Sequence, residues 1–202
     1  MFIQVIQGKV ADEAGLQRCM ERWTTELQPG AEGFLGTTAG MADDGTFVAL
    51  ARFESEDAAR RNSERPEQGA WWTETEECFD GEVSFMDCPN VTPWLGGGSD
   101  EAGFVQIMEG HSSAPARMLQ LLTDASERIH EERPEIIGGM FATYGDDGYV
   151  EAVYFTSEAQ AREHEQQAIP DDLRAVFEEE QRLAGEVTYY DLHRPMFVSA
   201  TH

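Results

Sequence analysis

Phe2, Ile3, Val5 and Ile6 crowd the opening segment around a single polar residue, Gln4. Apolar side chains fall on both faces of the pleat, the pattern of a strand buried on both sides. Further on the spacing changes: Leu16, Cys19, Met20, Trp23 and Leu27 stand at i, i+3, i+4, i+7 and i+11, which places one apolar stripe along a helix. Phe34-Leu35-Gly36 and Thr46 to Phe53 then read as two strands around the turn Asp43-Asp44-Gly45. Ser55 is placed to cap a second helix, with Glu56 and Asp57 in its first turn. Gly81-Glu82-Val83-Ser84-Phe85 reads as a last strand.

The same order of patterns returns 102 positions later, where Phe104-Val105-Gln106-Ile107-Met108-Glu109-Gly110 answers Phe2-Ile3-Gln4-Val5-Ile6-Gln7-Gly8. Met118, Leu121, Leu122, Ala125 and Ile129 repeat the helical stripe. Ile136-Ile137-Gly138, Asp146-Asp147-Gly148, Tyr149 to Phe155, Ser157 to Arg162 and Gly185-Glu186-Val187-Thr188-Tyr189 repeat the remainder. The chain is therefore one unit built twice.

Each copy reads strand, helix, strand, strand, helix, strand, the order of a ferredoxin-like βαββαβ module. The expected class is α+β: residues 1–90 and 104–197 as two modules, joined by a Pro- and Gly-rich linker over 91–103. Trp94 in that linker is expected to plug a neighbouring surface, and the tail from Val198 to fray. Helices cover only one face of such a sheet, so the doubly apolar first strands need a second cover. The other copy, packed sheet against sheet, supplies it as a pseudo-dimer within one chain; a further homodimer is left open.

Composition narrows the partners. The net charge is −25, and Lys9 is the only lysine. Such a surface repels phosphate backbones and anionic headgroups, so neither nucleic acid nor membrane is expected as a partner. The start carries no signal-peptide pattern, and Cys19, Cys78 and Cys88 are odd in number without metal-ligand spacing. Cytoplasmic, reduced thiols are the expectation. The five histidines show no HxH or HxxxH spacing, so no metal site is expected. No GxSxG, GxGxxG or P-loop motif is present.

The FIQVIQG-type first strand, the amphipathic helix and Arg52-Phe53-Glu54-Ser55-Glu56-Asp57-Ala58-Ala59 resemble the dimeric α/β-barrel superfamily. Within it, the chain is most similar to tandem-fused antibiotic biosynthesis monooxygenase-like (ABM-like) domains. The resemblance implies an intramolecular dimeric α/β barrel of two ferredoxin-like βαββαβ repeats. It also implies a cofactor-independent monooxygenase acting on a small hydrophobic or aromatic molecule. The superfamily also includes haem-degrading enzymes, isomerases, stress proteins and modules of unknown role, so two alternatives stand beside that reading: a non-catalytic small-molecule-binding or stress-related module, and a haem-binding protein. A haem reading would draw on His164 or His111.

Monooxygenase members carry an asparagine and a tryptophan near the second helix, facing a pocket between helices and sheet. Asn62 and Trp71-Trp72 match that region, and the second copy departs with His164 opposite Asn62, and Ala175 and Val176 opposite the tryptophans. The first copy is thus the expected host, with Asn62, Trp72 and Arg52 in catalytic roles and Gln4 and Trp71 holding substrate. Gln106, Tyr154 and His164 are their counterparts in the second copy. Other roles compete for the same residues: Gln4 and Gln106 read first as structural residues bonded across the barrel seam, and one of the tryptophans as core. His164 and the acid runs Glu74, Glu76, Glu77 and Glu178-Glu179-Glu180 fit solvated helix faces. A pocket of a few hundred Å³ would separate a ligand site from a filled module.

Overall fold

A computed structural model describes residues 1–200; His202 lies outside them. In chain order the elements are β1 (Phe2–Val10), α1 (Glu13–Arg22), β2 (Phe34–Met41), β3 (Thr46–Phe53), α2 (Glu56–Ser63), α3 (Pro66–Glu76), β4 (Phe79–Cys88) and β5 (Asn90–Trp94). There follow β6 (Phe104–His111), α4 (Pro115–Glu132), β7 (Ile136–Tyr144), β8 (Gly148–Phe155), α5 (Glu158–Glu165), α6 (Asp171–Ala184), β9 (Val187–Leu192) and β10 (Met196–Ser199). The fold is α+β with two ferredoxin-like modules, each holding a five-stranded antiparallel sheet.

The two sheets have the orders β10-β2-β3-β1-β4 and β5-β7-β8-β6-β9. Four strands of each are the βαββαβ core; the fifth comes from the segment that follows the other copy. Residues Met1–Pro89 with those from Met196 form one unit, and Asn90–Pro195 form the other. This corrects two expectations. Part of the expected linker is strand β5, paired with β7, and Val198 and Ser199 belong to β10, paired with β2, rather than fraying. Pro93 and the glycines after it hid β5, because proline lowers strand propensity except at a sheet edge, which is where β5 lies. Gly139 admits it: a Cβ there would stand 2.0 Å from Cε2 of Trp94, whose buried indole covers the glycine.

Each expected second helix is two helices. In the first module the chain turns at Glu64 and Arg65, and Pro66 opens α3, a position where its missing N–H costs nothing. The serine caps hold, Ser55 Oγ accepting from Ala58 N and Ser157 Oγ from Gln160 N. In the second hairpin the residue with positive φ is Gly145, whereas Gly148 opens β8. Gly81, read as opening the last strand, lies inside β4, which starts at Phe79. Both strand pairs β2·β3 and β7·β8 carry the same bulge, at Gly36 and at Gly138.

On the helix side, Trp23, Phe34, Phe53 and Trp71 build the first core. Phe104, Ile129, Ile136, Phe155 and Leu173 build the second. The opposite sheet faces are buried as well: Ile3, Val5, Val48 and Leu50 in the first module, and Val105, Ile107, Val150 and Ala152 in the second. Among the described residues no helix is long and apolar enough to cross a membrane.

Candidate functional site

The pleat decides which expected residues meet. Along β3, Phe47, Ala49, Ala51 and Phe53 face the helices and line a small cavity, so Arg52 between them faces the other way. Its Nε lies 3.5 Å from the Gly36 carbonyl oxygen. The expected catalytic role of Arg52 is therefore corrected by strand alternation. Tyr154 fails for the same reason: Tyr149 and Glu151 face the cavity side of β8, and Tyr154 is fully buried on the opposite face.

Gln4, Asn62, Trp71 and Trp72 do come together, around only about 80 Å³. Each is engaged. Gln4 Nε2 donates to Asp87 Oδ1 at 2.9 Å, across the β1–β4 seam. Trp71 Nε1 donates to the Cys19 carbonyl at 2.8 Å, and Asn62 Oδ1 accepts from Arg65 Nη1 at 2.9 Å. Trp72 packs edge-on against Phe85, with ring centroids 5.0 Å apart. Space of this size holds a few waters and no aromatic substrate. The expectation of a substrate pocket in the first copy is thus corrected: the indoles that suggested it fill it. Gln106 repeats the seam bond, Nε2 donating to Asp191 Oδ1 at 2.8 Å, and is not among the residues that line the cavity of its own module.

The second module holds a cavity of about 630 Å³, partly open to solvent, between its helices and sheet. Met108, Met118, Leu173 and Phe177 supply apolar wall, and Tyr149, Glu151, Glu180 and His164 supply the chemistry. Pairing shows why space opens here. Ala49 faces Ile6 and Ala39 across the first sheet; Glu151 holds the equivalent place, facing Met108 and Phe141. Trp23, just after α1, corresponds to Ala125. Counted from the first residues of α3 and α6, Trp71, Trp72 and Thr75 correspond to Val176, Phe177 and Glu180. At each tryptophan position a smaller side chain stands in the second copy.

Two acids stand in the cavity without a cation. Glu151 is 3% exposed, and burial holds its carboxyl well above the usual carboxylate range, with the charge of Glu180 adding to the rise. Burial also pushes the Glu180 carboxyl up to about 7. Neither forms an ion pair among the described residues. Carboxyls so placed resist ionising together, which suits them to give and take protons. Burial, and next the Glu151 charge, push the Tyr149 phenol up to about 12.

Sequence reasoning missed both acids, although signals for them exist. Glu151 interrupts an otherwise apolar strand. Within Glu178-Glu179-Glu180, only Glu180 is in helical phase with Leu173, Phe177 and Ala184 on the inward face of α6. Glu179 is instead held by Arg117, and Glu178 is exposed.

His164 lines the cavity rather than a solvated face, and its Nδ1 lies 2.9 Å from Glu135 Oε2. His111 lies at the surface beside Asp147, 3.0 Å away. Among the described residues no group of three His, Cys, Asp or Glu side chains is placed to hold a metal ion.

No protein-family profile and no curated protein sequence matches the chain. Solved structures match it along its length. A protein of Fusobacterium nucleatum, provisionally named a monooxygenase, superposes with a TM-score of 0.77 at 9% identity, covering 98% of this chain and 94% of its own. One of Lactobacillus acidophilus, named in the same way, gives 0.75 at 13% identity, covering 98% and 96%. An anthrone oxidase-like protein gives 0.73 at 11% identity, covering 100% and 94%. At these identities the likeness is one of fold alone: two ferredoxin-like modules in tandem along nearly the whole chain.

Proposed function

We propose that the protein is a cofactor-independent monooxygenase that works in the cavity of its second module, on a compact aromatic molecule with an acidic C–H. The observation that carries this is the pair Glu151 and Glu180, desolvated and without a cation on the wall of an apolar cavity of about 630 Å³. That volume suits two or three fused rings. The names of the similar structures point to the same chemistry.

A ring CH₂ flanked by aromatic rings loses a proton to the ionised member of the pair, whose raised pKa makes it a stronger base than an exposed carboxylate. The protonated member donates a hydrogen bond to the substrate oxygen, where the negative charge gathers. The electron-rich anion then reacts with O₂. Overall CH₂ + O₂ gives C=O + H₂O, the substrate supplying all four electrons, one oxygen atom entering the product and the other leaving as water. Met108, Leu173 and Phe177 hold the rings and exclude water from the anion.

The test is oxygen uptake with a panel of anthrones, repeated under ¹⁸O₂. The expected result is one O₂ consumed and one labelled oxygen incorporated per product, with kcat about 10²- to 10⁴-fold lower in Glu151→Gln. Uptake at the uncatalysed rate across the panel would overturn the proposal.

A further inference from the structure

The cavity has two ends of opposite character. Arg117 on α4 grips Glu179 on α6, Nε to Oε1 at 2.8 Å and Nη2 to Oε2 at 3.0 Å. Arg128 reaches Asp172 at 2.8 Å. The two helices therefore run antiparallel, with Met118 and Glu180 at one end. Leu173 and the C-terminus of α4, where Arg133 follows, lie at the other. Both Met118 and Arg133 line the cavity. Fifteen residues apart, they bound a space on the order of 20 Å long at 1.5 Å rise per residue.

At the far end from Glu180 the wall carries the Arg133 guanidinium and the His164 imidazole, both set against Glu135. Glu135 is 2% exposed and takes Arg133 Nε on Oε1, with His164 Nδ1 beside Oε2. Arg133 Nη2 donates to the Ala161 carbonyl at 3.3 Å. These contacts hold the guanidinium in place while Nη1 forms no hydrogen bond among the described residues. The two other acids on this stretch of wall are held by arginines from outside it: Glu132 by Arg128 at 2.5 Å, and Glu165 by Arg162 at 3.2 Å. In the first module the matching position is closed, since Asn62 is bound to Arg65, whose Nη1 and Nη2 both donate to the Leu27 carbonyl.

We infer that Arg133 and His164 form an anion-binding subsite, so that the substrate class is an aromatic carboxylic acid. Its carboxylate docks on Arg133 and His164 while its rings extend toward Glu151 and Glu180. A planar, fixed guanidinium with a free N–H edge matches carboxylate geometry. In a chain of net charge −25, an arginine that lines the cavity also selects where an acid can sit. This inference rests on the reading of the cavity as a substrate site.

The experiment compares anthracene-2-carboxylate with its neutral carboxamide, by fluorescence titration of the full chain at low and high salt. The expected result is at least about tenfold tighter binding of the carboxylate, a preference that shrinks with salt and vanishes in Arg133→Gln while carboxamide binding persists. Equal binding of the two by the wild-type protein would overturn the inference, as would a preference that survives in Arg133→Gln. If that variant does not fold, His164→Gln replaces it, and the wild-type comparison decides by itself. Binding is read without turnover, so oxygen uptake on neutral anthrones with no carboxylate preference would sink only this subsite. A carboxylate preference without oxygen uptake would sink only the monooxygenase reading.

Discussion

The two modules have the same strands, the same bulge and the same cap, yet one is filled and the other hollow. In the first, Trp23, Trp71 and Trp72 occupy the space between helices and sheet and leave about 80 Å³. In the second, Ala125, Val176 and Phe177 stand in their places, Glu151 replaces Ala49, and about 630 Å³ remains. The difference teaches that a duplicated fold separates two jobs. One copy invests its aromatic residues in packing, and the other gives up packing for a cavity with two strained acids. Aromatic side chains in a sequence therefore point to a pocket only if their neighbours are too small to close it.

The largest expected effect would break the comparison from the chemical side. Glu151→Gln should lower oxygen-dependent turnover by about 10²- to 10⁴-fold. Asn62→Ala, in the module without a pocket, should leave turnover within about twofold in the same oxygen-electrode assay. A larger loss in Asn62→Ala would return the site to the first module.

Stability sharpens the same contrast. Trp71→Ala should cost about 3–5 kcal/mol in urea unfolding, because a buried indole and its bond to Cys19 are lost from a filled core. Phe177→Ala, on the wall of a space that is already open, should cost under half as much. Equal costs would mean that the second module is as tightly packed as the first.

The acid pair makes the second module sensitive to pH. Its folded-state pKa values are raised, so its contribution to stability is complete below the unfolded carboxylate range, near pH 4.5. That contribution is lost as pH rises through about 7. Stability should fall from pH 5 to pH 8 by on the order of 1–2 kcal/mol, after allowance for partial exposure of Glu180. Glu151→Gln should flatten that slope in chemical denaturation at each pH, and an unchanged slope would contradict the pairing.

The smallest effect belongs to a feature the copies share. Lys9 bonds Asp44 at 2.6 Å, and His111 stands by Asp147 at the matching turn. The Lys9 hydrogen bond, and next that of Thr46, hold the Asp44 carboxyl down to about 2. Both pairs are exposed, so Lys9→Ala and His111→Ala should each shift stability by under about 1 kcal/mol in thermal melts.

The repeat, the element order and the helix caps were legible because they rest on local periodicity and on one serine at each helix start. Strands β5 and β10 were not, since Thr92-Pro93-Trp94 and Phe197-Val198-Ser199 are too short to show alternation. Their pairing is also with sequence-distant strands. Gln4 and Gln106 were legible as seam residues. Arg52 and Tyr154 were misplaced by one step of the pleat, an error that sends a side chain through the sheet. Glu180 was hidden among neighbours that are exposed or ion-paired, and its inward phase emerges only once α6 has a fixed start.

The most direct measurement is where an aromatic acid binds, read from a crystal structure of the protein soaked with anthracene-2-carboxylate. One molecule per chain in the second module is predicted, its rings beside Leu173 and Phe177, its far edge toward Glu151, its carboxylate on Arg133. A molecule bound instead among Trp23, Trp71 and Trp72 of the first module would contradict it.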